Sequence, residues 1–367
     1  MTGGSVMNPA PMLEDVARQP EVLASMIERS GEFRRAGGAL AAERALPLRR
    51  VLVTGCGDGL FAAQAASAHA AGLGLDWRAV GPMELLVGAD TLRETDRVIA
   101  ISMSGNVDRT VEAATLVQAR GIPLLALVNG DGGKLGKLAG TKVSLDLADI
   151  AGFLCGTASY TATLSALLNV VDGIADAETP AVSAELAEAQ RAALAASDTV
   201  LPAMTGAPFT GVRLLSAGAD AGTAAYGAAK LVELTRLPSW SADLEEFAHS
   251  QYWSMPATDL VVVISAHPVL AGYAVESCRA LSVLGVTTLA IDTAAAPVET
   301  ATHRITLPPI DPALAPLVTA LPLQLLAYRL AEASGLNPNT RRHLKDDETR
   351  FRVSRLLTRR SLLGTGL

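Results

Sequence analysis

Aromatic side chains are scarce in this sequence, at 4% of 367 residues, although half of the chain is hydrophobic. Alanine fills much of the difference, and glycine is frequent, with 32 copies. That composition fits a buried α/β protein with tight strand-to-helix turns. Cysteine is also rare: Cys56, Cys155 and Cys278 form no CxxC pair and no His/Cys cluster, so no structural zinc or other metal site is expected. An odd, sparse count suits a reducing cytoplasm, and a cytoplasmic location is the expectation. Positive charge is in deficit, with 30 Lys and Arg against 37 Asp and Glu and a net charge of −7. The chain as a whole therefore has no electrostatic footprint for nucleic acid. Long apolar runs are missing too. The most apolar stretch, Ala313 to Tyr328, is broken by Pro316, Pro322 and Gln324 and is too short to span a membrane. The N-terminus lacks the basic start and apolar core of a signal peptide.

What is present is a length comfortable for two domains. Residues 1 to about 11 read as disordered, and a helical pattern begins at Met12. Pro20 interrupts it and Gly37-Gly38 loosens it, so two or three helices are expected within residues 1–46. Arg50 to Gly55 reads as a buried strand, followed by a Gly-rich turn and an Ala-rich helix. Backbone N–H groups at such a turn favour an anion. Gly55, Gly57 and Gly59 are a loose relative of the dinucleotide fingerprint, but the acidic residue it requires is not at its spacing, since Glu84 comes too late. Asp96 to Ser102 is the next strong strand. Ser102, Ser104 and Gly105 fall where it gives way to a helix, a place for a phosphate or for simple helix caps. Strands at 122–128 and 143–147 and an apolar helix at 156–171 complete a first unit, residues 47–174.

Residues 175–209 read as a connecting helix. The pattern then repeats, with strands at 212–217, 260–265, 287–291 and 303–307 inside a second unit, 210–335, before a tail at 336–367. The same order recurs at a separation of about 160 residues, which points to internal duplication. Each copy should hold a parallel sheet covered by helices on both faces. Gly222 to Trp253 stands out. Its helix carries Lys230 and Glu233 on one side, Pro238 stops it, and a polar segment brings Glu245, Glu246 and His249. A loop folding back would join the Glu233 carboxylate to the His249 imidazole for proton transfer. The alternative is an exposed Glu and a loop His with no shared task.

The turn GCGDG, the segment ISMSGNVDRT, AYGAAKLVEL, EEFAHS and the tail LNPNTRRHLK together resemble the sugar isomerase (SIS) family. The similarity is to the tandem SIS domains of the isomerase half of glucosamine-6-phosphate synthase and to related phosphosugar isomerases and deglycases, over about residues 12 to 345. It implies an α/β fold of two tandem SIS domains, each a doubly wound parallel sheet flanked by helices. It implies a phosphate site at Ser102, the Met103 backbone, Ser104, Gly105 and the following helix turn, with Gly57, Asp58 and Thr157 also binding substrate. Glu233 takes the place of the proton-transfer base, His249 of the ring opener, Lys230 of a nearby lysine and Lys345 of a lysine in the tail. The chain departs from the family where Met103 replaces a Gln, Val107 a Thr, and Asp58-Gly59 a Thr-Ser pair. The implied activity is aldose–ketose isomerisation of a phosphorylated or otherwise anionic sugar, without metal or organic cofactor. A ketosamine-phosphate deglycase or deaminase and a non-catalytic sugar-phosphate sensor are the alternatives. No counterpart of the synthase's glutamine-hydrolysing domain is expected. A homodimer is, with His249 or the basic Arg350–Arg360 run near a neighbour's site.

Overall fold

The computed structural model describes residues 10–43, 47–204 and 206–358. The expected disorder at residues 1–9 and the last two arginines of the basic run lie outside them. Three helices come first: α1 (Pro11–Ala17), α2 (Gln19–Glu28) and α3 (Ser30–Ala42). The first unit then runs β1 (Arg50–Gly55), α4 (Asp58–Ala65), α5 (Ser67–Gly72), β2 (Trp77–Val80), α6 (Pro82–Val87), β3 (Asp96–Ser102), α7 (Asp108–Ala119), β4 (Leu124–Val128), α8 (Gly133–Leu138), β5 (Thr141–Ser144) and α9 (Ala158–Ile174). After α10 (Ala184–Val200) the second unit runs β6 (Val212–Ser216), α11 (Asp220–Thr235), β7 (Ser239–Asp243), α12 (Leu244–His249), β8 (Leu260–Ser265), α13 (Pro268–Val283), β9 (Thr287–Thr293), β10 (His303–Leu307) and α14 (Pro316–Ala333). The tail adds α15 (Arg342–Lys345) and α16 (Glu348–Thr358).

Each unit has a five-stranded parallel sheet, ordered β2-β1-β3-β4-β5 in the first and β7-β6-β8-β9-β10 in the second. Counted from each unit's own start, the two orders are the same, so the duplication read from the strand pattern is a duplication of topology. β1, β3 and β4 are buried along their whole length, which is why they appear as unbroken apolar runs. In such doubly wound sheets ligands bind outside the carboxyl ends of the strands, at the point where strand order reverses. In the first unit that point lies between β1 and β3.

Two expectations need correction. Ser239–Asp243 is an edge strand, not loop: none of its residues is fully buried, and it is too polar to declare itself in sequence. α10 is more than a connector. It buries Leu186, Ala189 and Ala193, and its Gln190 amide donates to the Leu317 carbonyl in α14.

The two units share one apolar core, which holds Val51 and Ile99 of the first sheet with Leu214 and Val262 of the second. α11 crosses α4 at backbone contact. A Cβ on Gly222 would stand 2.5 Å from the Phe61 carbonyl oxygen and 2.6 Å from the Ala65 nitrogen, so only glycine admits this approach. The helices are antiparallel: Gly222 meets the end of α4, and Lys230, about 12 Å further along at 1.5 Å per residue, meets Asp58 at its start. Tyr160 and Tyr226 stack across the junction with ring centroids 3.9 Å apart. The Tyr226 hydroxyl donates to the Gly156 carbonyl at 2.7 Å and accepts from Gln324 at 3.0 Å, fixing the 153–157 loop against α11.

Candidate active site

The carboxyl edge of the first sheet opens into a cavity of about 370 Å³ walled by Gly57, Asp58, Ser102, Met103, Ser104 and Glu233 among others. A neighbouring cavity of about 330 Å³ shares Asp58, Met103 and Ser159 with it. Most of the candidates named from sequence thus converge on one place. Gly57, with φ of 58°, turns the chain from β1 into α4 and sets Asp58 at the helix start. Ser102 ends β3, Gly105 donates its N–H to the Ser102 carbonyl at 3.0 Å, and α7 begins three residues later.

The serines are not helix caps. The residue before α7 is Val107, and no side chain caps that helix. The Ser104 hydroxyl accepts the Asn106 N–H at 3.2 Å within the turn. The Ser102 hydroxyl, in a residue only 5% exposed, has no partner among the described residues. A buried hydroxyl without a partner costs on the order of 1–3 kcal/mol. Here it stands on the wall of the cavity, ahead of a twelve-residue helix whose first N–H groups favour an anion.

The opposite wall is a chain of four charges. Lys230 Nζ lies 2.9 Å from Asp58 Oδ1 and 3.2 Å from Glu233 Oε1, and Arg341 Nη1 lies 3.0 Å from Glu233 Oε2. Cys155 Sγ donates to the same Oε2 at 3.3 Å. Burial opposes charge on Glu233, but Lys230 and Arg341 together hold its carboxyl below the usual range. Asp58 goes the other way: burial pushes it up, and Lys230 only partly offsets that. Burial also opposes charge on Lys230, yet its carboxylate neighbours hold the ammonium above the ordinary lysine value. The buried Cys155 thiol is pushed up to about 12 and stays protonated at neutral pH. The site therefore presents an ionised carboxylate, a fixed cation and a second carboxyl of weaker acidity around one cavity.

Three candidates lie elsewhere. His249 ends α12 with a side chain 68% exposed and its Nε2 2.9 Å from Glu245 Oε1. The expected fold-back fails because β7 intervenes. Glu233 is in the last turn of α11, at the amino edge of the second sheet, and β7 carries the chain back to the carboxyl edge before α12 starts. The sixteen residues from Glu233 to His249 lead away from the carboxylate within the protomer. Thr157 is fully buried and gives its hydroxyl to Asp15, so Gly156 and Ser159 form the cavity wall at that turn. Lys345 lies over the Phe153 ring, 3.7 Å from its centroid, and the tail cation that reaches Glu233 is Arg341.

Arg341, Cys155 and Ser159 were missed by sequence reasoning. Arg341 also donates to the Phe153 and Leu154 carbonyls at 2.9 and 2.8 Å, which ties the tail to the 153–157 loop. His343 beside it bonds the Glu233 carbonyl at 3.0 Å. The doubled arginine of NTRRHLK was the available signal, overshadowed by the lysine further on.

Comparison with known proteins places this geometry. Residues 47–171 match the SIS domain. The chain is 24% identical to glutamine–fructose-6-phosphate aminotransferase (isomerizing) from Zymomonas mobilis over 82% of its length and 52% of the relative's. It is 26% identical to the enzyme of that name from Gloeobacter violaceus, over 92% of the chain and 58% of the relative. It thus spans little more than half the length of these curated relatives. Among solved structures, the C-terminal domain of glucosamine-fructose-6-phosphate aminotransferase from Francisella tularensis superposes with a TM-score of 0.76 at 16% identity, covering 90% of this chain and 98% of that one. Tagatose-6-phosphate ketose/aldose isomerase from Escherichia coli gives 0.77 at 21% identity, covering 93% and 97%. Glucosamine-6-phosphate deaminase from Thermotoga maritima gives 0.72 at 18%, covering 90% and 97%. The first unit thus matches the SIS domain in sequence, and the second repeats its sheet topology.

Proposed function

We propose that this protein interconverts the aldose and ketose forms of a phosphorylated sugar, with Glu233 as the base that moves a proton between adjacent carbons. The observation that carries this reading is the pairing of two unlike walls on one cavity. On one side stand the unpartnered Ser102 hydroxyl, Ser104 and the start of α7, suited to a phosphate. On the other stands a carboxylate kept ionised by Lys230 and Arg341. Phosphate binding supplies remote binding energy that aligns the reacting carbons. Glu233 takes the proton from one carbon and returns it to the next, a role typically worth about 10²- to 10⁴-fold. The ammonium of Lys230 and the guanidinium of Arg341 stand beside it to stabilise the enediolate oxygen. No step in this scheme uses a cofactor.

The test is solvent-deuterium incorporation at C1 or C2 of fructose 6-phosphate and glucose 6-phosphate, followed by NMR. Wild type should exchange, and Glu233→Gln should exchange at least about 100-fold more slowly while still binding. Undiminished exchange in the variant would remove Glu233 from the chemistry. Tight binding with no exchange in wild type would favour a sugar-phosphate sensor, and ammonia release from an amino-sugar phosphate would favour a deaminase. We also propose a homodimer. The second unit exposes Trp253, Val269 and Tyr273, at 77%, 67% and 63%, apolar side chains a second copy would cover.

A further inference from the structure

The repeated topology gives the second sheet a carboxyl edge equivalent to the one that opens into the first cavity. Its strand order reverses between β6 and β8, and the turns after those two strands line a cavity of about 460 Å³. We propose that this cavity binds a small organic amine whose ammonium pairs with the Asp220 carboxylate. The inference is independent of the sugar-phosphate reading of the first cavity.

The observation that carries it is a buried carboxyl with no cation beside it. Asp220 is 4% exposed and stands on the cavity wall. It does not cap α11, whose cap residue is Ala219. Its Oδ1 accepts the Thr319 hydroxyl at 2.6 Å, and its Oδ2 has no partner among the described residues. Nor is that oxygen sealed inside the fold: it opens on the cavity that Asp220 lines. Aspartates are almost never fully buried unless paired. At the first cavity Lys230 is the partner of Asp58. Among the described residues no lysine or arginine lines the second. Burial, with no cation to offset it, pushes the Asp220 carboxyl up to about 7. The fold supplies an anion here and no counter-charge.

The rest of the wall sets the class of ligand. Asp311 adds a second carboxyl, its Oδ1 accepting the Ala313 N–H at 2.9 Å. His267 accepts the Val269 N–H on Nδ1 at 3.1 Å, so its neutral ring carries the proton on Nε2. The remaining titratable neighbour of Asp220 is the Tyr160 phenol of α9, which burial keeps neutral. Two carboxyl groups without a fixed cation disfavour the phosphate that the first cavity suits. Among the described residues no three His, Cys, Asp or Glu side chains come together as a metal site, so an organic cation fits better than a metal ion. Ala68, Leu270 and Ala313 give the cavity small, uncharged walls, and its volume is that of a small-molecule site. A compact body bearing one ammonium matches both features.

Cyclohexylamine is the probe, and cyclohexanol its uncharged counterpart of the same shape. Methyl NMR of the full chain, labelled at Ala, Leu and Met, locates the binding: Ala68, Leu270 and Ala313 report this cavity and Met103 the first. The amine should shift the three reporters saturably with a Kd on the order of 1 mM, and cyclohexanol should bind at least about tenfold more weakly. Asp220→Asn should lose at least about tenfold of the amine affinity. The cation prefers the ionised carboxyl, so affinity is full above the raised Asp220 value and is lost as pH falls through it. From pH 8 to pH 6 the Kd should therefore rise about tenfold in wild type, the alkyl ammonium staying charged throughout, and hold level in Asp220→Asn. The cyclohexanol and pH comparisons need wild type alone, so they decide the matter even where the variant misfolds. Equal binding of amine and alcohol would overturn the proposal, as would shifts confined to Met103. So would an affinity unmoved by Asp220→Asn or by pH, or no saturable shift up to about 10 mM amine.

Discussion

Replacing Lys230 by methionine tests the charge chain at its centre. The side chain is fully buried and of similar length to methionine, so the change removes a cation without opening a large cavity. It leaves two carboxyl groups whose Lys230-facing oxygens lay 2.9 and 3.2 Å from the lost nitrogen, and are therefore no more than about 6 Å apart. At an effective dielectric of about 20 two such charges repel by roughly 3 kcal/mol. Side chains 28% and 35% exposed bring this down to between about 1 and 3 kcal/mol. One pH unit corresponds to about 1.4 kcal/mol, so the acid limb of the exchange-rate profile should move up by about one to two units. The same change appears in stability. In wild type Glu233 is held low, so its contribution is present above the ordinary carboxylate range and is lost only as pH falls through its lowered value. In the variant the folded pair holds a proton to higher pH than the unfolded chain does. Its stability should therefore fall as pH rises from about 4 through the raised value, then level off. Melting temperatures of both proteins from pH 4 to 8, read beside the exchange profiles, decide the matter. Parallel melting curves and an unmoved acid limb would refute the charge chain.

Ser102→Ala with Ser104→Ala should raise KM for a phosphorylated sugar by about 100-fold or more, since each removes a bond to a charged group worth about 1.5–3 kcal/mol. The melting temperature should not fall and should rise slightly, because the Ser102 hydroxyl has no partner among the described residues to lose and its unpaired burial costs about 1–3 kcal/mol. Asp220, buried with its carboxyl bonded to Thr319, is pushed up to about 7 by burial, so its ionisation opposes folding as pH rises from about 4 through 7. Asp220→Asn should therefore match wild type in urea unfolding at pH 4 and exceed it at pH 8 by up to roughly 4 kcal/mol. Sedimentation should give a dimer, and charged replacements of Trp253 and Tyr273 together should give monomers. A wild-type monomer at micromolar concentration would remove the second copy from the account.

The sequence disclosed the fold where physical chemistry acts locally. Strands buried on both faces announce themselves as apolar runs, and β1, β3, β6, β8 and β10 fall within a residue of their expected bounds. β7 did not, because an edge strand needs only half of its residues buried, and Ser239–Asp243 reads as a polar loop. That miss carried the site with it. With β7 read as loop, His249 appears free to return to Glu233. With β7 present, it must leave for the other end of the sheet. Ser102, Lys230 and Glu233 were legible because each sits on an element the local pattern reveals, and Ser104 because it follows the end of such a strand. Arg341 was not, since its position depends on a tail whose course is set by bonds to the Phe153 and Leu154 carbonyls.

The cavity exists because the two units meet in opposite senses. The first contributes the carboxyl edge of its sheet, where turns and helix starts gather N–H groups and hydroxyls. The second contributes the far end of α11, which reaches that edge only because Gly222 lets the helix lie on α4. Ser102, Ser104 and the start of α7 thus come from one copy of the duplication, and the Glu233 carboxylate from the other. Asp58 is the point where they touch, bonded across the junction to Lys230. In the second unit α11 begins with Asp220 as α4 begins with Asp58, but Asp220 is buried and bonded to Thr319 of α14. Among the described residues, the first unit offers the corresponding cleft only Ala68 of α5. Two sheets of one topology thus carry different side chains at corresponding edges, and the charge chain of Asp58, Lys230, Glu233 and Arg341 forms at the first.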